Sequence, residues 1–279
     1  LIRTLSRELD VVVAAGFHAQ RGRDAHITYV LAAPDGAATL HNKSFASPSD
    51  ARIARAGKRS RTLPTVQRIG GATVGLVAGW EWLRTDTVRD LRGSVGVALG
   101  GMCWDAVQAL GRRENAKEDH IVQIELLKQV PGRMARRIGA PTIMASLSDA
   151  NRVHSVEATP SYRGLVAVTQ ITDAEGRVLQ QLGPDDPEGY IAADLALEHV
   201  RPADSVPEGE WLEPVDDRLK AAAALARMAG TWSYRVKQVR LSQPWREWPA
   251  ADLPNRLPPA EVGHQLVATS GPSHLRPSA

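Results

Sequence analysis

The chain has 279 residues, which is the length of one large α/β domain or of about two average domains. Apolar residues make up 43% and charged residues 23%, a balance typical of a globular protein with a buried core. Lys and Arg number 34 against 31 Asp and Glu, so the net charge is only +3, which excludes a strongly basic or strongly acidic chain.

The first hundred residues alternate between strand-like and helix-like patterns. They predict helix 2–9, strands 11–17, 26–32 and 38–43, loop 44–65, strand 73–78, helix 85–91 and strand 94–99. The strand at 11–17 is rich in valine and is expected to be buried. Pro34, Asp35 and Gly36 form a hairpin turn, and Gly70 with Gly71 forms another. Hairpins beside helical connections indicate mixed sheets in an α/β domain.

The rest of the chain continues this alternation as far as residue 200. It predicts helix 117–138 with a break or a kink at Pro131, strands 142–146, 165–172, 177–182 and 190–195, and a later helix 217–228 ended by Gly230. Beyond residue 200 prolines are frequent, and four aromatics look exposed: Trp232, Tyr234, Trp245 and Trp248. We therefore divide the chain into a domain at 1–200 and a Pro/Trp-rich extension at 201–279.

Several function classes are disfavoured by what the sequence lacks. Cys103 is the single cysteine, which excludes an internal disulfide framework and a multi-cysteine zinc site. The histidines lack metal-ligand spacing, so we expect no metal and no cofactor. The basic run at 52–61 contains no aromatic residue to stack a base, which favours a solvated loop or an anion site over nucleic acid. With no apolar run of 18 residues and no leader, we expect a cytoplasmic protein without a membrane partner.

The segment 74–85 is the most informative one for chemistry. An apolar strand ends at Gly79, and a helix begins at Thr85. Such strand-to-helix elbows present one side chain at the mouth of a sheet, with a backbone N–H free to bind an oxyanion. The alternative is a plain strand end followed by a helix that Thr85 caps.

Four segments, in this order, resemble the carbon–nitrogen hydrolase (nitrilase) superfamily over residues 1–198. They are 27–45 (ITYVLAAPDGAATLHNKSF), 74–101 (VGLVAGWEWLRTDTVRDLRGSVGVALGG), 135–146 (ARRIGAPTIMAS) and 162–195. The resemblance implies a four-layer α-β-β-α sandwich of mixed sheets that pairs as a homodimer through its nucleophile-side helices. It also implies hydrolysis of amides, nitriles or carbamoyl groups by a Glu–Lys–Cys set.

Carried onto this chain, the resemblance assigns the catalytic lysine to Lys43 and the nucleophile position to Gly79, where the cysteine is absent. Glu81 matches the acidic residue two places after the nucleophile. The general-base glutamate would lie upstream of Leu1, so we expect the N-terminal part of the domain to be missing. A further glutamate that the family often has after its lysine finds no match, and Asp50 is the nearest carboxylate.

Each of the remaining candidate site residues has two possible roles. Cys103 is either a relocated nucleophile, with Glu81 or Asp105 as its base, or a small residue at a pocket edge. The indoles of Trp80 and Trp104 either line a substrate pocket or pack in the core. His41 shares the strand face of Lys43, so it either contacts substrate or makes a structural hydrogen bond.

The sequence predicts a carbon–nitrogen hydrolase fold acting on a small amide or nitrile, with impaired or absent activity because Gly79 offers no nucleophile. The alternative is a non-catalytic member of this fold that serves ligand binding or assembly. In both readings we expect a homodimer or a higher homo-oligomer.

Overall fold

The computed structural model describes most of the chain up to residue 241. The described residues are 1–21, 24–48, 50–57, 67–69, 72–102, 104–105, 116–146, 165–166, 168–183, 186, 189–212 and 215–241. They belong to one unit that spans Leu1–Pro244. Within these ranges, no helix combines the length and the apolar character that crossing a bilayer requires.

The described elements form a small and a large sheet with helices around them. In chain order they are α1 (Ile2–Leu9), β1 (Val13–Arg21), β2 (Asp24–Ala32), β3 (Ala38–Asn42), α2 (Asp50–Ile53), β4 (Gln67–Ile69), β5 (Ala72–Ala78), a 3-10 helix (Gly79–Leu83), α3 (Thr85–Leu91), β6 (Val97–Met102), β7 (Trp104–Asp105), α4 (Ala116–Ile138), β8 (Thr142–Ser146), β9 (Leu165–Val166), β10 (Thr169–Thr172), β11 (Val178–Leu182) and α5 (Asp217–Leu241). The predicted alternation of strands and helices is therefore confirmed.

The small sheet is an antiparallel meander in the order β1-β2-β3. Gly36, with φ at 87°, makes the turn between β2 and β3, as its place after Pro34 and Asp35 predicts. The large sheet has the order β11-β10-β8-β6-β5-β4. Its centre, β5-β6-β8, is parallel, and the outer strands are antiparallel. This is the mixed sheet that the sequence predicts.

The two sheets pack face to face because alternate residues of β5 point to opposite sides. Val74 and Leu76 join Leu31 and Val97 in a buried cluster between the sheets. Val77 points the other way and belongs to the main cluster beneath α3 and α4.

Helices α1 and α5 contact the small sheet. The hydroxyl of Ser6 in α1 donates a hydrogen bond to the carbonyl of Ala32 at 3.1 Å. The hydroxyl of Tyr234 in α5 accepts a hydrogen bond from the backbone N–H of Ala25 at 3.0 Å. With α3 and α4 on the large sheet, the order of layers is helix, sheet, sheet, helix, which confirms the α-β-β-α arrangement.

Two strand predictions are wrong. The segment 11–17 is predicted as a buried strand, whereas β1 begins at Val13 and is an edge strand whose Phe17 is 40% exposed. The segment 190–195 is predicted as a strand, but the described residues 189–200 contain none. Single contacts hold this segment, such as the hydrogen bond from Val200 N–H to the Gly139 carbonyl at 2.9 Å.

Two helix ends differ from the prediction. Helix α4 has no break at Pro131, whose carbonyl accepts a hydrogen bond from the Thr142 hydroxyl at 3.1 Å, and the alternative of a kink stays a prediction. Helix α5 continues past Gly230 because this glycine lies against α2. A Cβ there would lie 3.1 Å from both the Ala51 Cβ and the Pro48 carbonyl, so the missing side chain permits close packing.

Residues beyond 200 contribute to the main core. The contributing side chains are Leu212, Val215, Leu219, Ala222 and Ala223. Trp232 is 70% exposed as predicted, but Tyr234 is only 4% exposed. The proposed domain division after residue 200 stays a prediction. The Gly70-Gly71 turn, the basic residues 58–61, Trp245 and Trp248 lie outside the described residues.

We expect the cluster between the sheets to determine much of the stability. Leu76→Ala removes a fully buried side chain there and should cost about 2–5 kcal/mol in the free energy of unfolding. The matched control is Leu40→Ala on β3, where the side chain is 49% exposed and the cost should stay within about 0.5 kcal/mol. Denaturant unfolding of both variants measures the difference, and equal costs would contradict this packing.

Candidate active site

The elbow predicted from the sequence is present. Strand β5 ends at Ala78, and the chain turns at Gly79 with φ at +54°, a conformation that favours glycine. The 3-10 helix then leads into α3, whose first residue is Thr85. The prediction that Thr85 caps this helix is wrong, because its hydroxyl instead donates to the Gly209 carbonyl at 2.6 Å.

Lys43 lies beside this elbow. Its backbone N–H donates to the Ile27 carbonyl at 2.8 Å, which continues the pairing of β3 with β2 by one residue. Its side chain is 5% exposed. A Cβ built on Gly79 would collide with Lys43 Nζ and lie 2.7 Å from Lys43 Cε. The ammonium group therefore occupies the space that a side chain at position 79 would need.

Asp50 holds this ammonium group through a buried ion pair to Lys43. The Asp50 carboxylate also accepts a hydrogen bond from Ser47 N–H at 2.7 Å, and Asp50 N–H donates to the Ser47 hydroxyl at 3.3 Å. This reciprocal pair is a capping box at the start of α2. Burial works to raise the pKa of Asp50, but the charge of Lys43 and the hydrogen bonds outweigh it and lower that pKa.

Glu81 connects the elbow to the residues on both sides of Lys43. One carboxylate oxygen accepts hydrogen bonds from Ala78 N–H and His41 Nε2, each at 2.8 Å. The other accepts from the N–H and the hydroxyl of Ser44, each at 2.6 Å. This carboxylate is 3% exposed and fully engaged by donors, so the geometry suits positioning of Lys43 more than proton transfer.

The charges of this network reinforce one another. Burial works to raise the pKa of Glu81, but the hydrogen bonds and charge of His41 and the donors of Ser44 lower it. Burial works to lower the pKa of His41, but its hydrogen bond to Glu81 and the charge of that carboxylate raise it. His41 thus makes the structural hydrogen bond that was one of its two predicted roles.

The aromatic side chain after the elbow lies in the core. Trp80 is 3% exposed, stacks on Phe45 with ring centroids 6.5 Å apart and meets Trp211 edge-on at 5.8 Å. The guanidinium of Arg84 lies 4.2 Å from the centre of the Phe45 ring. These contacts agree with one of the two roles predicted for Trp80, packing in the core. A contact between Trp80 and a substrate stays a prediction.

A shallow depression lies beside Lys43. Among the described residues it is lined by Ile27, Lys43, Ala46, Asp50, Ala54, Arg55 and Ala56. The side chain of Lys43 itself is only 5% exposed.

The described residues bring together Lys43, Gly79 and Glu81, as the sequence predicts. Cys103 and the side chain of Trp104 lie outside the described residues, and the upstream glutamate stays a prediction. In the described part of the chain, no group of three His, Cys, Asp or Glu side chains could hold a metal ion.

Sequence reasoning missed the roles of Asp50 and Ser44. The signal for Asp50 was available, because Ser-Pro-Ser-Asp at 47–50 has the spacing of a capping box, which turns the carboxylate back toward the preceding residues. No comparable signal marks Ser44, whose contacts with Glu81 depend on how the two sheets meet.

Substitution of Gly79 should reveal its contact with Lys43. Gly79→Ala and Gly36→Ala both place a Cβ at positive φ, which costs about 1–2 kcal/mol. Nothing lies within 4 Å of a Cβ at Gly36, whereas the Cβ at Gly79 collides with Lys43. We therefore expect Gly79→Ala to lower the free energy of unfolding at least about twice as much as Gly36→Ala. Equal losses in denaturant unfolding would contradict the contact.

The His41–Glu81 pair should give a pH window of stability. The raised pKa of His41 makes its contribution complete below the ordinary value of 6.5 and removes it as the pH rises through the raised value. The lowered pKa of Glu81 makes its contribution complete above 4.5 and removes it as the pH falls through the lowered value. The loss in free energy of unfolding caused by His41→Gln should therefore be largest between pH 4.5 and pH 6.5, where both contributions are complete.

Denaturant unfolding at a series of pH values measures this loss. The exposed His199 provides a matched control, because His199→Gln removes an imidazole that makes no comparable buried contact. A loss for His41→Gln that does not change from pH 4.5 to alkaline pH would contradict the pairing.

Comparison with solved structures finds similar folds. A carbon–nitrogen hydrolase from Helicobacter pylori G27 aligns with a TM-score of 0.52 and 13% identity over 66% of this chain and 62% of that one. Nit3 from Saccharomyces cerevisiae, a member of branch 10 of the nitrilase superfamily, aligns with a TM-score of 0.50 and 10% identity, over 65% of this chain and 59% of that one. The chain thus spans less than two thirds of each structure, and no family model and no curated protein sequence matches it. The fold of this chain is that of the carbon–nitrogen hydrolase superfamily.

Proposed function

We propose that this chain is a non-catalytic or strongly impaired protein of the carbon–nitrogen hydrolase fold, which serves ligand binding or assembly. One observation carries the proposal. The Lys43 ammonium group, held by Asp50, occupies the space beside Gly79 that a nucleophilic side chain would need.

The chemistry of amide and nitrile hydrolysis explains why this matters. A nucleophile must attack the carbon, a base must take its proton, and fixed donors must stabilise the charge of the intermediate. Lys43 could supply a charge, but Gly79 supplies no nucleophile. Glu81 accepts hydrogen bonds at both oxygens, so it is poorly placed to act as a base.

A second candidate is an active hydrolase of a small amide or nitrile that takes its nucleophile from another position, with Cys103 as the available thiol. The buried Lys43–Asp50 pair and the complete hydrogen bonding of Glu81 support it, because they keep a cation fixed at the elbow. In this case Lys43 would stabilise the developing negative charge.

Ammonia release from small aliphatic amides and nitriles distinguishes the two candidates. We expect the purified protein to show no turnover above that of Lys43→Met and Cys103→Ala. Lys43→Met keeps the length of the side chain and removes its charge, and Cys103→Ala removes the thiol.

Turnover by the unsubstituted protein that both variants lose would overturn the non-catalytic proposal and support the relocated thiol. Turnover that only Lys43→Met loses would equally overturn it, with a nucleophile other than Cys103. Circular dichroism and thermal unfolding of each variant test whether it is folded, because Lys43→Met leaves the buried Asp50 carboxylate without its cation.

A further inference from the structure

Helix α5 turns one face into the core and leaves the opposite face exposed. Leu219, Ala222 and Ala223 point into the main core. The middle of the opposite side, called the outer face below, consists of apolar residues: Ala221, Ala224, Leu225, Met228, Ala229 and Trp232. A helix of a globular protein normally carries charged or polar residues on the side away from the core. This apolar outer face is therefore unusual for a surface helix.

The large side chains of the outer face protrude into solvent. Leu225 is 54%, Met228 66% and Trp232 70% exposed. They follow one another at intervals of three and four residues, so they form one stripe along the helix. Since each of the three is more than half exposed, no element within the described ranges flanks them to form a groove. The outer face is thus convex, and a contiguous apolar surface of this kind typically marks a docking site.

The charge of α5 indicates which kind of partner fits. The helix contains six Lys or Arg residues and one acidic residue, Asp217, which pairs with Lys220 at 3.0 Å. Asp216, just before the helix, accepts a hydrogen bond from Arg218 N–H at 2.6 Å. From Leu225 to the end of the helix all four charged residues are basic. The net charge of α5 is +5 in a chain whose total is only +3, so positive charge is concentrated along the apolar stripe.

The apolar and the basic side chains meet in the C-terminal half of the helix. Trp232 and the exposed Arg235 lie one turn apart on the same side. An indole is favourable at the boundary between acyl chains and lipid headgroups, where its ring is partly buried and its N–H stays near polar groups. The neighbouring α2 adds another basic residue, because Arg52 Cγ lies 3.1 Å from the position of a Cβ at Gly230. Both features match a partner that is anionic at its surface and apolar beneath.

We propose that the outer face of α5 lies on the surface of an anionic membrane, with the helix parallel to the membrane plane. Leu225, Met228 and Trp232 enter the boundary between headgroups and acyl chains, and Arg235 contacts lipid phosphates. Basic amphipathic helices with leucine and tryptophan on the apolar face bind bilayers in this way. A protein partner would need a groove shaped to a convex helix, whereas a bilayer deforms to fit it.

The proposal concerns a helix that lies on a membrane and not one that crosses it. The sequence predicts no membrane partner because it contains no apolar run long enough to span a bilayer, and no helix of the described residues could cross one. A helix that lies in the interface needs no such run. The inference uses no residue of the elbow, so it is independent of whether that site is catalytic.

Co-sedimentation of the full chain with lipid vesicles tests the proposal. Vesicles of equal parts phosphatidylglycerol and phosphatidylcholine should bind the chain, and vesicles of phosphatidylcholine alone should bind it at least about tenfold more weakly. Arg235→Gln should weaken binding to the anionic vesicles about fivefold, because it removes one cation from the membrane surface. Leu225→Gln and Met228→Gln should each weaken it about tenfold, because each loses the burial of an apolar side chain.

Two control variants make matched changes elsewhere in the chain. Val122→Gln removes an apolar side chain that is 59% exposed on α4, and Arg177→Gln removes a cation that is 75% exposed just before β11. Both should bind the anionic vesicles like the unsubstituted chain. No binding to anionic vesicles, equal binding to both kinds of vesicle, or controls as weak as the α5 variants would each overturn the proposal. Self-association that Leu225→Gln disrupts, without vesicle binding, would assign the outer face to a second copy instead.

The depth of Trp232 provides an independent measurement. Trp232→Phe keeps an apolar ring, so it should still bind the anionic vesicles. Lipids with brominated acyl chains quench the emission of tryptophans that touch them, and Trp232→Phe should lose most of the quenching that the unsubstituted chain shows. Quenching that persists in this variant would contradict insertion of the outer face. Thermal unfolding tests whether each variant is folded, and these exposed positions should change the stability little.

Discussion

The buried carboxylate of Glu81 is the constraint on which the rest of the site depends. It binds the end of β5 through Ala78, strand β3 through His41 and the residue after Lys43 through Ser44. A carboxylate at this depth needs all of its donors, because an unsatisfied buried charge is very costly. The three segments must therefore meet in one arrangement, and that arrangement brings Lys43 to the elbow.

The contact between Gly79 and Lys43 follows from this arrangement. Strands β3 and β5 belong to different sheets, so their ends meet only where the sheets pack together. The absence of a Cβ at Gly79 leaves space that the Lys43 side chain fills, and Asp50 pairs with its ammonium group. The fold thus brings a buried ammonium group against a glycine at the end of β5. A fold and its chemistry are separable because catalysis belongs to a few side chains.

The parts of the fold that local signals control could be predicted from the sequence. Helix α3 at Thr85–Leu91 and strand β8 at Thr142–Ser146 have their predicted limits, because apolar periodicity and flanking glycines mark them. The predictions fail where a distant contact decides. Gly230 does not end α5 because α2 packs against it, and no local pattern carries that information. Lys43, Gly79 and Glu81 could be named from the sequence, but the ion pair with Asp50 needed the capping box to be recognised.

The contact between Gly79 and Lys43 also links the volume of the residue at position 79 to the charge balance of the site. A side chain placed at position 79 would meet the far end of the Lys43 side chain, which would have to rotate away from its present position. Displacing Lys43 breaks a buried ion pair, which leaves the Asp50 carboxylate uncompensated. Side-chain volume at position 79 therefore acts first on the Lys43–Asp50 ion pair, so a steric change at the elbow is converted into a change in the electrostatics of the site.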